Sequence, residues 1–130
     1  MTNGKTILVV DDEKAICELI KDLLESEGFK IFTANNGEDG LKLLQSMIPD
    51  LIILDMNMPK MSGIEFYSKI AKPEDGTSVI PVLVLTGRGN MKSMFEGLGV
   101  SGFISKPFNA SELIETVKKI IDTKTNPQAG

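Results

Sequence analysis

Histidine is absent from this 130-residue chain. The gap removes every triad built on imidazole, every histidine metal ligand and any role as a carrier of phosphohistidine. Cysteine occurs once, as Cys17, so an internal disulfide is impossible and nothing points to an oxidising compartment. With no partner thiol for redox chemistry, Cys17 reads as a small, partly buried hydrophobe bordering the apolar face of a helix. No apolar stretch approaches the length needed to span a bilayer, and no basic segment followed by a long apolar run opens the chain. The expectation is a soluble, cytoplasmic protein with no membrane contact. An excess of basic residues is missing as well. The formal net charge is -4, which disfavours direct nucleic-acid binding, because phosphate backbones reward clustered Lys and Arg.

What is present is enough for one core. A hydrophobic content of 42% over 130 residues suits a single domain that needs no staples. We expect it to occupy residues 1–122, with 123–130, which hold almost no apolar side chains, as a loose tail or the start of a linker.

Two periodicities alternate along the chain. Thr6-Ile7-Leu8-Val9-Val10 is a short apolar run that stops at Asp11-Asp12. A helix follows, with Ile16, Leu19, Ile20, Leu23 and Leu24 on its inner face and Gly28 at its C-terminal cap. Lys30 to Ala34 reads as a second strand, Asn35-Asn36-Gly37 as a turn, and the next helix carries Leu41, Leu44 and Ile48. Leu51-Ile52-Ile53-Leu54 is a strand buried on both faces, and Asp55 follows where it must leave the core. A third helix presents Ile64, Tyr67, Ile70 and Ala71. Residues 72–78 are a surface loop, and Val79 to Leu85 is a fourth strand with Pro81 near its start. The fourth helix carries Met91, Met94, Phe95 and Leu98, weakened by Gly97 and Gly99. Gly102 to Ser105 is a brief fifth strand. Asn109 and Glu112 then cap a fifth helix whose inner face is Leu113, Val117, Ile120 and Ile121.

Strands separated by helices imply an α/β protein with a parallel sheet covered on both sides. Strand ends then share one edge, and the residues found there are Asp11-Asp12, Asp55, Thr86 and Lys106. Taken alone, Asp55 serves equally well as the first residue of a turn that Asn57 and Pro59 continue. In a doubly wound order with strand one beside strand three, however, a crevice opens between them, and neighbouring strands lie only ~4.8 Å apart. Two carboxylates ~4 Å apart repel by about 4 kcal/mol at an effective dielectric of 20. A hard dication relieves this, and without His or Cys ligands the donor set favours Mg2+ or Mn2+ over zinc. Lys106 lies about two strand spacings, ~10 Å, from Asp55, a gap its long stem largely spans.

Four segments, Val9-Val10-Asp11-Asp12-Glu13, Leu54-Asp55-Met56-Asn57-Met58-Pro59, Leu85-Thr86-Gly87 and Ser105-Lys106-Pro107-Phe108, together resemble the receiver domain of two-component response regulators, the CheY-like family. The resemblance runs from Lys5 to about Asp122. It implies a flavodoxin-like, doubly wound, five-stranded parallel sheet in the order 2-1-3-4-5 flanked by five helices. It also implies that Asp55 accepts a phosphoryl group from a phosphohistidine on a sensor histidine kinase or a histidine phosphotransfer protein. Asp11, Asp12, Asp55 and the Asn57 backbone carbonyl would hold Mg2+ or Mn2+, Lys106 would neutralise the phosphoryl group, and Thr86 would hydrogen-bond it. Further implications are a cis Lys106–Pro107 bond and Phe103 as the switch aromatic. The output surface would be the fourth helix, fifth strand and fifth helix, acting on a protein partner or on an output domain outside this sequence, from a monomer or a weak phosphorylation-dependent dimer.

The family often has alanine where Gly87 stands, and Arg88 follows; with Asn57, these two residues are expected to modulate the pocket mouth. Such a protein is not a conventional enzyme, although it would catalyse its own phosphorylation and autodephosphorylation. Two other classes compete. A receiver-like adaptor would keep the fold without the chemistry. A phosphatase of the haloacid-dehalogenase type also uses an aspartate after an apolar strand, but needs an acid two residues later, where this chain has Asn57.

Overall fold

The computed structural model describes residues 4–58, 60–70, 80–87 and 100–125. Its five strands are β1 (Thr6–Val10), β2 (Lys30–Ala34), β3 (Leu51–Asp55), β4 (Val82–Thr86) and β5 (Gly102–Ser105). They form one parallel sheet in the order β2-β1-β3-β4-β5. The helices among the described residues are α1 (Lys14–Glu25), α2 (Gly37–Leu44), α3 (Gly63–Ile70) and α4 (Ala110–Thr125). The helix expected around Met91 to Leu98 lies outside the described residues, as do Arg88, Pro59, Ala71 and the loop 72–78. Helix α4 runs to Thr125, three residues past the expected end of the domain.

Side-chain alternation gives the sheet two apolar faces. Ile7, Val9, Leu51, Ile53, Leu83, Leu85 and Ile104 pack with α1 and α4 through Cys17, Ile20, Leu24, Leu113, Val117 and Ile121. Leu8, Val10, Ile52, Leu54, Val82 and Val84 pack on the other side against Phe66 and Tyr67 of α3, with Leu41 and Leu44 of α2 beside them. The central strand β3 is buried along its whole length, as a strand covered on both sides must be.

All four described helices differ in some residue from the faces expected of them. Leu19 is 46% exposed and Ile64 40%, while Phe66, which the periodicity passed over, is fully buried. Ile48 lies beyond the end of α2 and is 82% exposed. In α4, Ile120 is only partly buried at the edge of the core. Cys17 is not a border residue but a core one, and burial pushes its thiol up to about 11. Asn109 caps its helix as expected, accepting from the Glu112 N–H at 2.7 Å, and Asn36, expected only as part of a turn, also caps α2, accepting from the Asp39 N–H at 2.8 Å, each satisfying a helix-end donor.

Helix α3 is drawn close to the end of β3 by Gly63, whose N–H donates to the Met56 carbonyl at 3.2 Å. A Cβ on Gly63 would stand 2.7 Å from the Asp55 carbonyl oxygen and 2.8 Å from the Met56 Cα. Both neighbours are backbone and cannot step aside. Gly63→Ala is therefore expected to destabilise the domain by about 1–3 kcal/mol, the usual range for overpacking. Urea unfolding would record this as a lower midpoint at constant slope; a parental midpoint would mean that the β3–α3 connection yields freely.

Candidate functional site

The register of the sheet decides which side chains meet. Val10 pairs with Leu54, so Asp11 and Asp55 emerge side by side, each one residue further on. Asp11 has the parity of Ile7 and Val9, and Asp55 that of Leu51 and Ile53, so both leave the sheet towards the same face. Thr86 ends β4 opposite Ser105, and Lys106 is the next residue, its N–H donating to the Thr86 carbonyl at 2.7 Å. The Lys106–Pro107 peptide bond is cis.

From there the Lys106 side chain reaches back across the rim. Its Nζ lies 3.1 Å from Asp11 Oδ2, 3.4 Å from Asp55 Oδ1 and 3.3 Å from Glu13 Oε1. One ammonium thus serves three carboxylates. Burial pulls the Lys106 pKa down, but Asp11, Asp55 and Glu13 outweigh it and hold the group above its usual value. Asp11 is completely buried and Asp55 is 2% exposed, and buried acids are rare without partners.

Each acid is also fixed by the backbone. Asp11 Oδ1 accepts from the Glu13 N–H at 2.9 Å, and Asp55 Oδ1 from the Asn57 N–H at 3.3 Å. Asp11 Oδ2 makes no hydrogen bond despite its burial and depends on the Lys106 charge. One carboxylate oxygen from each of Asp11, Asp12 and Asp55 lies within 4.8 Å of the others. Asp12 is exposed, so the cluster is open on that side. A cavity of about 370 Å³, lined by Asp12, Glu13, Asp55, Asn57, Gly87 and Lys106, opens above it.

An all-oxygen donor set, a buried carboxylate oxygen held only by the Lys106 charge among the described residues, and an open side where waters can stay match what a hard divalent cation requires. The residues present fit Mg2+. A dication placed here would cancel the repulsion among the three acids and polarise a phosphoryl oxygen brought into the cavity.

Thr86 is buried at the end of β4. It shares the parity of Val84, and Val84 pairs with Phe103, so Thr86 and Phe103 lie on the same side of the sheet. Phe103 is partly buried there against the cluster that contains Val84. Among the described residues, a Cβ on Gly87 would meet only Asn57 Nδ2 at 3.8 Å.

Two contributors escaped the sequence reading. Glu13 was visible as the third acid of Asp11-Asp12-Glu13, but nothing in that run shows that it would share Lys106. Asn35, read only as part of a turn, donates through Nδ2 to the Asp11 carbonyl at 3.2 Å.

The structure is thus a doubly wound domain with an acid–lysine pocket at its switch point. The model of the response regulator receiver domain matches residues 7–118, and the chain belongs to that family. It is 39% identical over 117 residues to the transcriptional regulatory protein CpxR of Escherichia coli, covering 88% of this chain and 48% of that protein. It is 44% identical over 126 residues to histidine kinase P4 of Formosa agariphila, covering 95% of this chain and 9% of the kinase. The chain therefore spans about half of one relative and a small part of the other. Among solved structures, the response regulator TrrA of Thermotoga maritima, in complex with Mg2+ and BeF, is 41% identical with a TM-score of 0.78, covering 89% of this chain and 98% of that one. Among the described residues, no helix is long and apolar enough to cross a membrane.

The crowding of acids predicts an unusual pH response. Burial, then the charge of Asp11, outweighs Lys106 and raises the Asp55 carboxyl from 3.8 to about 6. A raised acid binds its proton more tightly in the folded state, so the associated stability is complete below 3.8 and is lost as pH rises through about 6. Moving from 3.8 to about 6 caps this loss at roughly 3 kcal/mol. In EDTA, Asp55→Asn should remain stable between pH 4 and 7 where the parent loses stability. Parallel pH profiles of melting temperature for the two proteins would contradict the assignment.

Proposed function

We propose that this domain is a phosphorylation-activated signalling switch in which Asp55 is the phosphoacceptor. The observation that carries the reading is the meeting of Asp55 and buried Asp11 on Lys106 within 3.4 Å contacts, with Asp55 and Lys106 lining the cavity. Phosphoryl transfer asks little covalent work of a protein, and positioning with charge neutralisation supplies most of the catalysis. With its pKa near 6, Asp55 is mostly ionised at neutral pH and is available as a nucleophile.

The donor is a phosphohistidine on a sensor histidine kinase or a histidine phosphotransfer protein. An Asp55 carboxylate oxygen forms the new O–P bond as the P–N bond breaks, and the electron pair leaves with the imidazole. Lys106, already within reach of Asp55 Oδ1, turns its ammonium to the incoming phosphoryl oxygens, and Thr86 donates a hydrogen bond from β4. Asp11, Asp12, Asp55 and the Asn57 carbonyl would hold Mg2+ or Mn2+, which supplies Lewis-acid stabilisation of the transferring group. Water attacking phosphorus later releases phosphate and regenerates the carboxylate. The altered charge at Thr86 and Lys106 is transmitted to the surface around β5 and α4, which engages a downstream protein or an output domain. Asn57 cannot serve as the general acid of a dehalogenase-type phosphatase, because its carboxamide does not titrate.

Incubation with acetyl phosphate and Mg2+ should add the mass of one phosphoryl group to the parent and none to Asp55→Asn. Lys106→Ala should slow labelling by at least about tenfold, since one lost charge-assisted contact to the transition state costs more than 1.4 kcal/mol. An unlabelled parent would favour the adaptor reading instead. Independently, Mg2+ should raise the melting temperature of the parent, because binding to the folded state alone is stabilising. The same titration on Asp12→Ala should leave the melting temperature flat, and an equal rise in both would remove Asp12 from the cation site.

A further inference from the structure

Strand β1 delivers Asp11 to the pocket, and what holds its last peptide in place lies behind the acids, not among them. The final rung of the β1–β2 ladder is the Asp11 N–H donating to the Ala34 carbonyl at 3.1 Å. A regular parallel ladder would next bring a backbone N–H from beyond Asn35 to the Asp11 carbonyl. Strand β2 stops at Ala34, however, and Asn36 has turned away to cap α2. The Asp11 residue is wholly buried, so its carbonyl needs a protein partner.

The Asn35 side chain supplies that partner. Its Nδ2 stands 3.2 Å from the Asp11 carbonyl oxygen and 3.6 Å from Cys17 Sγ. The Cys17 thiol donates to the same carbonyl at 3.3 Å, with the Ala34 carbonyl at 3.9 Å. Only the NH2 end of a carboxamide can face a carbonyl oxygen, which fixes the orientation of Asn35. The thiol is the weaker of the two donors. Strand β2, helix α1 and the last peptide of β1 are therefore tied at one atom.

We propose that Asn35 is a positioning residue for the cation site: by holding the Asp11 carbonyl, with Cys17 as its second anchor, it fixes the direction in which the Asp11 carboxylate leaves β1. This rests on the cation binding proposed above. The geometry gives it force because Asp11 Oδ2 has no hydrogen bond of its own to aim it. Its direction is set by the backbone on one side, through the Glu13 N–H on Oδ1, and by the Lys106 charge on the other. Loss of the Asn35 donor leaves the buried carbonyl to a thiol and frees the peptide plane to rotate.

The test is Mn2+ binding, read from the electron paramagnetic resonance signal of free Mn2+ during titration, on the parent, Asn35→Ala, Asn35→Ser and Cys17→Ala. Supporting partners behind metal ligands usually change affinity by about 10- to 100-fold. Asn35→Ala is expected to weaken Mn2+ binding by about tenfold or more while remaining folded by circular dichroism. Asn35→Ser keeps a short hydroxyl donor and should recover part of that loss, and Cys17→Ala should lie between parent and Asn35→Ala. If Asn35→Ala does not fold, the order parent, Asn35→Ser and Cys17→Ala decides by the same readout. Parental affinity in every folded variant would overturn the proposal even if the melting temperatures fall, because a purely structural role lowers stability without changing the affinity of folded protein. A parent that binds no Mn2+ would overturn the cation site and this inference together, whereas a binding parent with indifferent variants would overturn this inference alone.

Discussion

Unbalanced charge at the carboxyl ends of the strands is the constraint from which the rest follows. Asp11, Asp55 and Glu13 gather around one ammonium, Lys106, with a carboxylate oxygen of Asp12 close to those of Asp11 and Asp55. Four acids against one base leave three negative charges in excess, two of the carboxylates being withdrawn from water. A protein selected only for stability would not assemble such a group, because like charges at this spacing cost several kcal/mol in a medium less polar than water. A dication brings the excess down from three to one. The site would thus be least strained with a dication in it.

The sheet makes that crowding unavoidable. Parallel strands with continuous apolar runs fix their register by burial, since a slip of one residue would turn every inner side chain outward. Once Val10 stands opposite Leu54, the acids that follow have no freedom to separate. Gly63 and the two asparagine caps extend the same control to the helices, fixing where α3 and the helix after each asparagine begin.

Strands and acids were legible for a common reason. The apolar runs of β1, β3 and β4 end abruptly at Asp11, Asp55 and Thr86, so strand ends and site residues coincide in the sequence, whereas β2 mixes Lys30 and Thr33 into its run and β4 starts at Val82, three residues after the expected Val79. Helix faces were less legible. In α2 and α3, eight residues long, two or three apolar positions do not determine a phase, and Phe66 and Ile64 exchanged roles. Ile48 followed the spacing of a helix that had already ended. Leu19 satisfied the periodicity of α1 but faces an apolar groove of about 300 Å³, shared with Ile16, Pro107 and Phe108, instead of the core. Least visible were Glu13 and Asn35, whose roles depend on which distant atom the fold presents to them. No local pattern separates Asn35, which grips β1, from Asn36, which caps α2.

For the proposed switch, the charge count also limits how a phosphoryl group on Asp55 could be stabilised. A shift from mostly one state to mostly the other needs about 5.5 kcal/mol of preference. Converting the Asp55 carboxylate to an acyl phosphate would replace one negative charge by about two, so the site would become more negative, not less. Lys106 cannot supply the whole difference, because it already serves three carboxylates and its move to the phosphoryl oxygens is an exchange of partners. Hydrogen bonds to a charged acceptor contribute about 1.5–3 kcal/mol each, so two or three further donors must turn towards the new group. Thr86 and the groups lining the cavity, the Asn57 carboxamide and the backbone at Gly87, stand closest to that task. Thr86 lies on the Phe103 side of the sheet, whereas Asp11 and Asp55 leave towards the other. Its engagement would therefore couple the charged rim to the opposite face, which neither the acids nor Lys106 can do from where they stand.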